Sequence, residues 1–302
     1  MTPGPVAIAP IRFDGQVAVV TGAGRGLGRQ YALALAARGA KVVVNGRGGR
    51  NGEAERAVVD EITAKGGEAV ALVGDVADAR AMREMVADTL ALWGRIDVLV
   101  NNAGFVRDKS FAKLGLDDFR AVLDVHLMGA VHCAKAVWTH MLERRYGRIV
   151  MIISSSGLAG NFGQAAYSAA KMGMVGLANT LGLEGESKNV RVNCFSPVGV
   201  TDMNAALFTP EVREIYSAEK AAAGVVFLAS EQAPNRVVLL GGGGSFERAY
   251  TTFTRGAVLA SDQAEELAAN FAGVSDRAEE VVPDSAQTQA DIELSNLGLT
   301  TK

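Results

Sequence analysis

Cysteine is almost missing from this sequence: Cys133 and Cys194 are the only two in 302 residues. Two thiols build neither a disulfide framework nor a four-ligand zinc cage, and they suit a reducing compartment. Proline is scarce as well, at seven residues, which excludes collagen-like repeats and proline-rich spacers. There is no basic excess. Thirty Lys and Arg stand against 33 Asp and Glu, for a net charge of −3. That balance argues against nucleic-acid binding and against a polybasic membrane patch. No apolar run reaches the roughly 18 residues of a membrane span. The opening MTPGPVAIAPIRF lacks the basic start and long apolar stretch of a secretion signal. The expectation is a cytoplasmic protein whose partner is a small molecule.

Glycine is what the chain has instead: 35 residues in a composition 49% apolar and 21% charged. Glycine without proline means tight turns and close backbone approaches, and the apolar fraction suffices for a large core. Short, mostly apolar runs recur at 16–20 (QVAVV), 41–45 (KVVVN), 68–73, 97–100 (DVLV), 148–153 (RIVMII) and 190–195 (VRVNCF). Between them, 27–38, 53–65, 78–93, the stretch to about 145 and 165–187 carry apolar residues at helical spacing. Apolar strands alternating with helices read as a parallel sheet covered on both faces. A helix at 221–230 and a seventh strand at 237–240 (VVLL) complete the pattern, followed by the turn 241–244. The expected fold is therefore α/β: a Rossmann-type, doubly wound, parallel seven-stranded sheet with helices on both faces, forming one domain over 1–245. Residues 202–220 are expected to form mobile helices over a pocket. Residues 246–302 are polar and poor in strand formers. They are expected as a C-terminal extension (a lid, an oligomer arm or a partly disordered tail) rather than an independent domain.

Thr21-Gly22-Ala23-Gly24-Arg25-Gly26-Leu27-Gly28 follows the first strand and opens the first helix. Glycine permits a sharp turn and close approach of backbone to a pyrophosphate, and the helix N-terminus offers free N–H groups. Gly22, Arg25, Gly26, Leu27 and Gly28 are thus candidate nucleotide contacts; the alternative is a tight structural turn. The second strand ends Asn45-Gly46-Arg47, without the acid that binds a ribose 2′-hydroxyl. Arg47 and Arg25 can face a 2′-phosphate, so NADP(H) is expected over NAD(H). The alternative is that both arginines are solvated and both cofactors are accepted. After the third strand, Asp75 suits an adenine amino group, with the Val76 N–H completing the contact, or else Asp75 caps the next helix. After the fourth, Asn101-Asn102-Ala103-Gly104 reads as small backbone positions beside a ribose or as a plain β–α turn.

Tyr167 and Lys171 stand four apart on one helix face, and Ser154 lies thirteen residues before the tyrosine. Carbonyl reduction needs a proton on oxygen as hydride reaches carbon. A tyrosine can deliver it if its pKa, about 10 unperturbed, falls toward 7. An ammonium nearby favours the phenolate, and a serine hydroxyl can polarise the same oxygen. Alone, Tyr-xxx-Lys reads as a surface pair; behind a glycine loop and with the serine in register, it reads as catalytic. His132 and His140 lie on the helix that carries His126, with no acid or thiol in metal spacing, so no metal site is expected.

With TGAGRGLG, NNAG, ISSSG, YSAAK and the strand through Asn193, the sequence resembles the short-chain dehydrogenase/reductase family over roughly 14–245. The resemblance implies a nicotinamide cofactor and a Ser–Tyr–Lys mechanism. Tyr167 would be the acid/base. Lys171 would lower its pKa and hold the nicotinamide ribose, and Ser154 would hold the substrate oxygen. Within the family, 107–114, 124–141, 160–171 and 177–193 are similar to the (3R)-hydroxyacyl-CoA dehydrogenase region of peroxisomal multifunctional enzyme type 2 and its bacterial stand-alone relatives. This implies a secondary alcohol or ketone substrate, 3-hydroxyacyl/3-ketoacyl-CoA first. A hydroxysteroid is the alternative, and a non-catalytic nucleotide-binding regulator is the alternative of another class. Most of the family has Asn where His126 stands, while the narrower group carries His; it is a candidate proton relay or a helix-kink residue. The family's Pro-Gly appears here as Pro197-Val198-Gly199, with Thr201 in place to meet a carboxamide. The narrower group has an acid where Gly46 stands. The resemblance also implies a homodimer or homotetramer formed by the helices over 126–141 and 165–183.

Overall fold

The computed structural model describes residues 9–200 and 209–299. It divides into two compact units, Met1–Arg248 and Ala249–Lys302. In the first unit, β1 (Val17–Val20), β2 (Lys41–Gly46), β3 (Glu68–Val73), β4 (Val98–Asn101), β5 (Gly147–Ile152), β6 (Val190–Pro197) and β7 (Val238–Gly242) form parallel neighbours in the order β3-β2-β1-β4-β5-β6-β7. Side chains of a strand alternate between faces. Val17 and Val19 enter one core with Met82, Val86, Val137, Met141 and Met174. Ala18 and Val20 enter another with Tyr31, Leu35, Val225 and Leu228. Both faces are dry, which is why β1 reads VAVV rather than alternating with polar residues.

One core is closed by α3 (Ala79–Trp93), α5 (Gly129–Arg144) and α7 (Ala165–Gly185). The other is closed by α1 (Gly26–Ala36), α2 (Gly49–Ala64) and α9 (Ala218–Ala229). Shorter helices are α4 (Leu116–Leu123), α6 (Ser155–Ala159) and α8 (Pro210–Ile215). Cys133 and Cys194 are buried free thiols whose pKa burial pushes up to about 12. His132 and His140 meet backbone, at the Val76 carbonyl and the Ile96 amide.

Strand count is the first correction. The sheet has eight strands rather than seven, because Ser245–Ala249 adds β8 beside β7. A two-residue connection can join only antiparallel neighbours. Gly243 and Gly244, at φ 60° and 92°, supply the left-handed turn it needs. The strand SFERA is mostly exposed and polar, so no apolar run announces it. A second difference is the start of α2, at Gly49 behind the left-handed Gly48. The glycines at 46, 48, 49 and 52 conceal the first turn. Of the segment over 202–220, α8 and the start of α9 are described.

In the second unit, α10 (Ala264–Ala269), α11 (Phe271–Val274) and α12 (Gln287–Asn296) are short. Phe253 and Val281 pair through reciprocal backbone hydrogen bonds of 2.9 and 2.8 Å. Thr254 Oγ1 donates to the Val274 carbonyl, and Asn296 Nδ2 to that of Arg255. No helix among the described residues is long and apolar enough to cross a membrane.

Candidate active site

The strand order reverses between β1 and β4, and ligand crevices in such sheets open at the carboxyl ends of the strands around that point. Thr21 is the hub there. It is 1% exposed. Its Oγ1 donates to the Val100 carbonyl and accepts from the amides of Asn102 and Ala103, both at 3.0 Å. Asn102 Nδ2 returns a bond to the Thr21 carbonyl at 2.8 Å and reaches the Gly22 carbonyl at 3.3 Å. The loops after β1 and β4 are thus laced together, leaving little room for side chains. A Cβ on Gly28 would lie 2.3 Å from the Gly22 carbonyl oxygen and 2.4 Å from Asn102 Nδ2. A Cβ on Gly22 would lie 2.8 Å from Ala103 Cα, and Gly22 itself has φ +62°.

Gly26 opens α1 at φ +55°. Arg25, the N-cap residue, makes no side-chain capping bond, and the first turn holds no acid. The N-terminal amides of α1 therefore keep their capacity for an anion. Gly28→Ala is expected to weaken nucleotide binding by at least about a hundredfold, since its methyl group meets backbone rather than a movable side-chain end; calorimetric titration with NAD⁺ and NADP⁺ checks this. An unchanged affinity would remove the glycine loop from the site.

The remaining contact candidates lie around this loop. Leu27 packs beside Gly199, whose Cβ would lie 2.8 Å from Leu27 Cδ2. Pro197 ends β6 in register with Gly241, and the Val198 amide donates to the Gly241 carbonyl. Thr201 lies outside the described residues. Asp75 is not the helix cap: its Oδ1 accepts from the Ala77 amide, while Asp78 caps α3 through the amides of Arg80 and Ala81. Val76 is buried beneath it. Asn45, fully buried, donates to the carbonyls of Leu72 and Gly74 and so fixes the chain just before Asp75. Arg25 and Arg47 are exposed.

Ser154 follows β5 and caps α6 through the Ser156 amide at 3.2 Å. Tyr167 and Lys171 face it from α7. The Lys171 ammonium lies 5.5 Å from the Tyr167 ring centroid and donates to the Ile152 carbonyl at 2.6 Å. Lys171 is 3% exposed. Burial lowers its pKa from the usual 10.5 to about 7. Burial pushes the Tyr167 phenol up, and a hydrogen bond with Ser154 pulls it back. In the free protein at neutral pH, Tyr167 therefore carries its proton. This differs from the sequence expectation of a lowered phenol, because the packing that buries the pair also desolvates it.

His126 lies in a π-helical segment, Asp124–Met128, between α4 and α5. Such segments interrupt a helix where a site needs a displaced backbone. Its ring stands edge-on to Tyr167, with centroids 5.2 Å apart. Nε2 lies 2.6 Å from the Phe105 carbonyl and 3.0 Å from its amide, while Nδ1 is buried without a partner. Burial, then the Lys171 charge, lowers the His126 pKa to about 3. The imidazole is neutral at physiological pH, so it can pass a proton only by receiving one as it gives one. Gly104 makes room for it: a Cβ there would lie 2.0 Å from the ring.

Sequence reasoning missed three residues. Thr21 and Asn45 are ordinary strand-end polar residues until their hydrogen bonds are seen. The third, Glu55 of α2, is 6% exposed and its Oε2 has no hydrogen-bond partner. A usable signal existed for it. Glu55 falls on the inward stripe with Val58 and Ile62, where a charge is out of place. The cradle without side chains, the open helix N-terminus and the unpartnered carboxylate all fit a dinucleotide.

The family model for short chain dehydrogenases matches residues 16–212. The chain is 43% identical over 269 residues to a short-chain type dehydrogenase/reductase of Mycobacterium tuberculosis, covering 86% of this chain and 94% of that one. It is 49% identical over 203 residues to peroxisomal multifunctional enzyme type 2 of Drosophila melanogaster, covering 65% of this chain but only 33% of the fly enzyme. It is 45% identical to the 3-oxoacyl-[acyl-carrier-protein] reductase of Synechocystis over 227 residues, 72% of this chain and 90% of that one. Superposed on the solved full-length fly enzyme, it gives a TM-score of 0.80 at 35% identity, covering 96% of this chain and 51% of the other.

Proposed function

The chain belongs to the short-chain dehydrogenase family, oxidoreductases acting on CH–OH groups, and from that premise we propose that it interconverts 3-hydroxyacyl and 3-oxoacyl thioesters with a nicotinamide dinucleotide. The carrying observation is that Ser154, Tyr167 and Lys171 converge at the carboxyl end of β5, where His126 packs against both Tyr167 and Gly104 of the laced β4 loop. The substrate class is supported by the names of two relatives, a peroxisomal multifunctional enzyme type 2 and a 3-oxoacyl-[acyl-carrier-protein] reductase.

Bound nicotinamide supplies or accepts the hydride at the carbinol carbon. The protein's own part is the proton. In reduction, the Tyr167 hydroxyl gives its proton to the carbonyl oxygen while the Ser154 hydroxyl donates to that same oxygen, so negative charge never builds up unshared. In oxidation, the Tyr167 phenolate takes the proton of the alcohol. Protonated Lys171, anchored on the Ile152 carbonyl, stabilises that phenolate. The raised phenol keeps Tyr167 in the protonated form that donates in reduction at neutral pH.

Dinucleotide preference turns on the end of β2, where Arg25 and Arg47 favour a 2′-phosphate and the Glu55 carboxylate opposes one. Met128, Met172 and Leu183, exposed on the helical faces around α5 and α7, support pairing of those helices between copies.

Initial rates with a short 3-oxoacyl-CoA and either reduced cofactor test the substrate. Turnover is expected. Turnover of hydroxysteroids but not of the thioester would overturn the acyl reading while leaving the mechanism, and nucleotide binding without turnover on any ketone would overturn both.

A further inference from the structure

The end of β2 carries a substitute for the acid that its own sequence lacks. Gly46 stands there without a side chain, and the space above it is filled. A Cβ on Gly46 would lie 1.9 Å from Glu55 Oε1 and 2.8 Å from Glu55 Cδ. A Cβ on Gly24, in the glycine loop, would lie 3.2 Å from the same Oε1. The Glu55 carboxylate thus sits between the last residue of β2 and the loop that receives the nucleotide. It reaches this point from α2, nine residues downstream, because Glu55 takes an inward position on the helix one turn before Val58. No ion pair involving it is present among the described residues, and Oε2 is buried without a partner. A buried carboxylate in that condition is costly unless something donates to it.

We propose that Glu55 accepts hydrogen bonds from the adenosine ribose hydroxyls and makes this site selective for NAD(H) over NADP(H). Vicinal hydroxyls are donors and can meet the carboxylate at Oε1, the oxygen that faces Gly46 and Gly24. A 2′-phosphate brings only acceptors and like charge into a space with little solvent to screen it. Arg25 and Arg47 do not cancel that effect: both are exposed, so their charges act through water. Gly46 is part of the device, since any side chain there displaces the carboxylate. The assignment rests on the nucleotide-binding reading above, though not on the substrate.

Calorimetric titration with ADP-ribose and 2′-phospho-ADP-ribose tests it without catalysis. The natural protein should bind ADP-ribose at least about tenfold more tightly, the size of one hydrogen bond to a charged group. Glu55→Gln should lose about tenfold for ADP-ribose and bring the two ligands within about threefold, with an unliganded melting temperature equal to or above that of the natural protein. A merely structural Glu55 would lower that temperature and leave the ratio unchanged. The double variant G46D/E55A, which returns an acid to the strand and clears the space for it, should restore the preference for ADP-ribose. Tighter binding of the 2′-phosphate form by the natural protein, or an unchanged ratio in Glu55→Gln, overturns the assignment alone. Binding of neither ligand overturns the nucleotide reading and this one with it.

Discussion

Tyr167→Phe should reduce turnover by about a thousandfold or more while leaving nucleotide affinity within about twofold. General acid–base catalysis by one positioned group contributes roughly 10²–10⁴, and among the described residues neither neighbour of the phenol replaces it. His126 is beside it, but its pKa near 3 means that it holds no spare proton at neutral pH. Ser154 can donate a hydrogen bond but has no acidity to spare in this range. The phenylalanine ring keeps the packing with His126 and the small cluster of Val122, Ala166 and Ala170, so the variant should fold. Steady-state rates and cofactor titration on the same preparation check the result. Retention of more than a tenth of the activity would remove Tyr167 from the proton path.

Lys171→Met should have opposite effects on activity and stability. Activity should fall by about a hundredfold or more, because no ammonium then favours the phenolate. The free protein should become more stable near pH 7, by about 3 kcal/mol, the burial penalty less the bond to the Ile152 carbonyl. The sign follows from the displacement of the pKa from 10.5 to about 7. Below pH 7 both folded and unfolded chains hold the proton, and the full penalty applies. Between pH 7 and 10.5 the unfolded chain binds a proton that the folded chain does not, so stability rises with pH. Thermal melts of the natural protein should therefore show a gain from pH 7 to 10 that Lys171→Met lacks. Parallel curves for the two proteins would mean that Lys171 is charged and compensated in the free enzyme.

Legibility in the sequence followed burial. Strands β1, β2 and β5 were readable because both their faces are dry and the runs are continuously apolar. Ser154, Tyr167 and Lys171 were readable because their spacing is fixed by one strand end and one helix. β8 escaped notice because an exposed edge strand needs no apolar residues and is set by two glycines. Glu55 was hidden for a related reason. Its type suits any solvated helix, and the stripe it shares with Val58 and Ile62 marks it as inward without showing what it faces. The ionisation of Tyr167, Lys171 and His126 was least accessible: charge spacing can be read along a chain, but desolvation depends on what folds over it.

Gly104 and His126 form a one-way gate for sequence change. A smaller residue can replace the imidazole without disturbing position 104. A side chain at 104 meets the ring at 2.0 Å for as long as the ring is there. While the histidine is present, any side chain at 104 forces the ring to move. A larger residue at 104 thus calls for a displaced ring or a smaller side chain at 126, whereas a change at 126 alone asks nothing of the glycine.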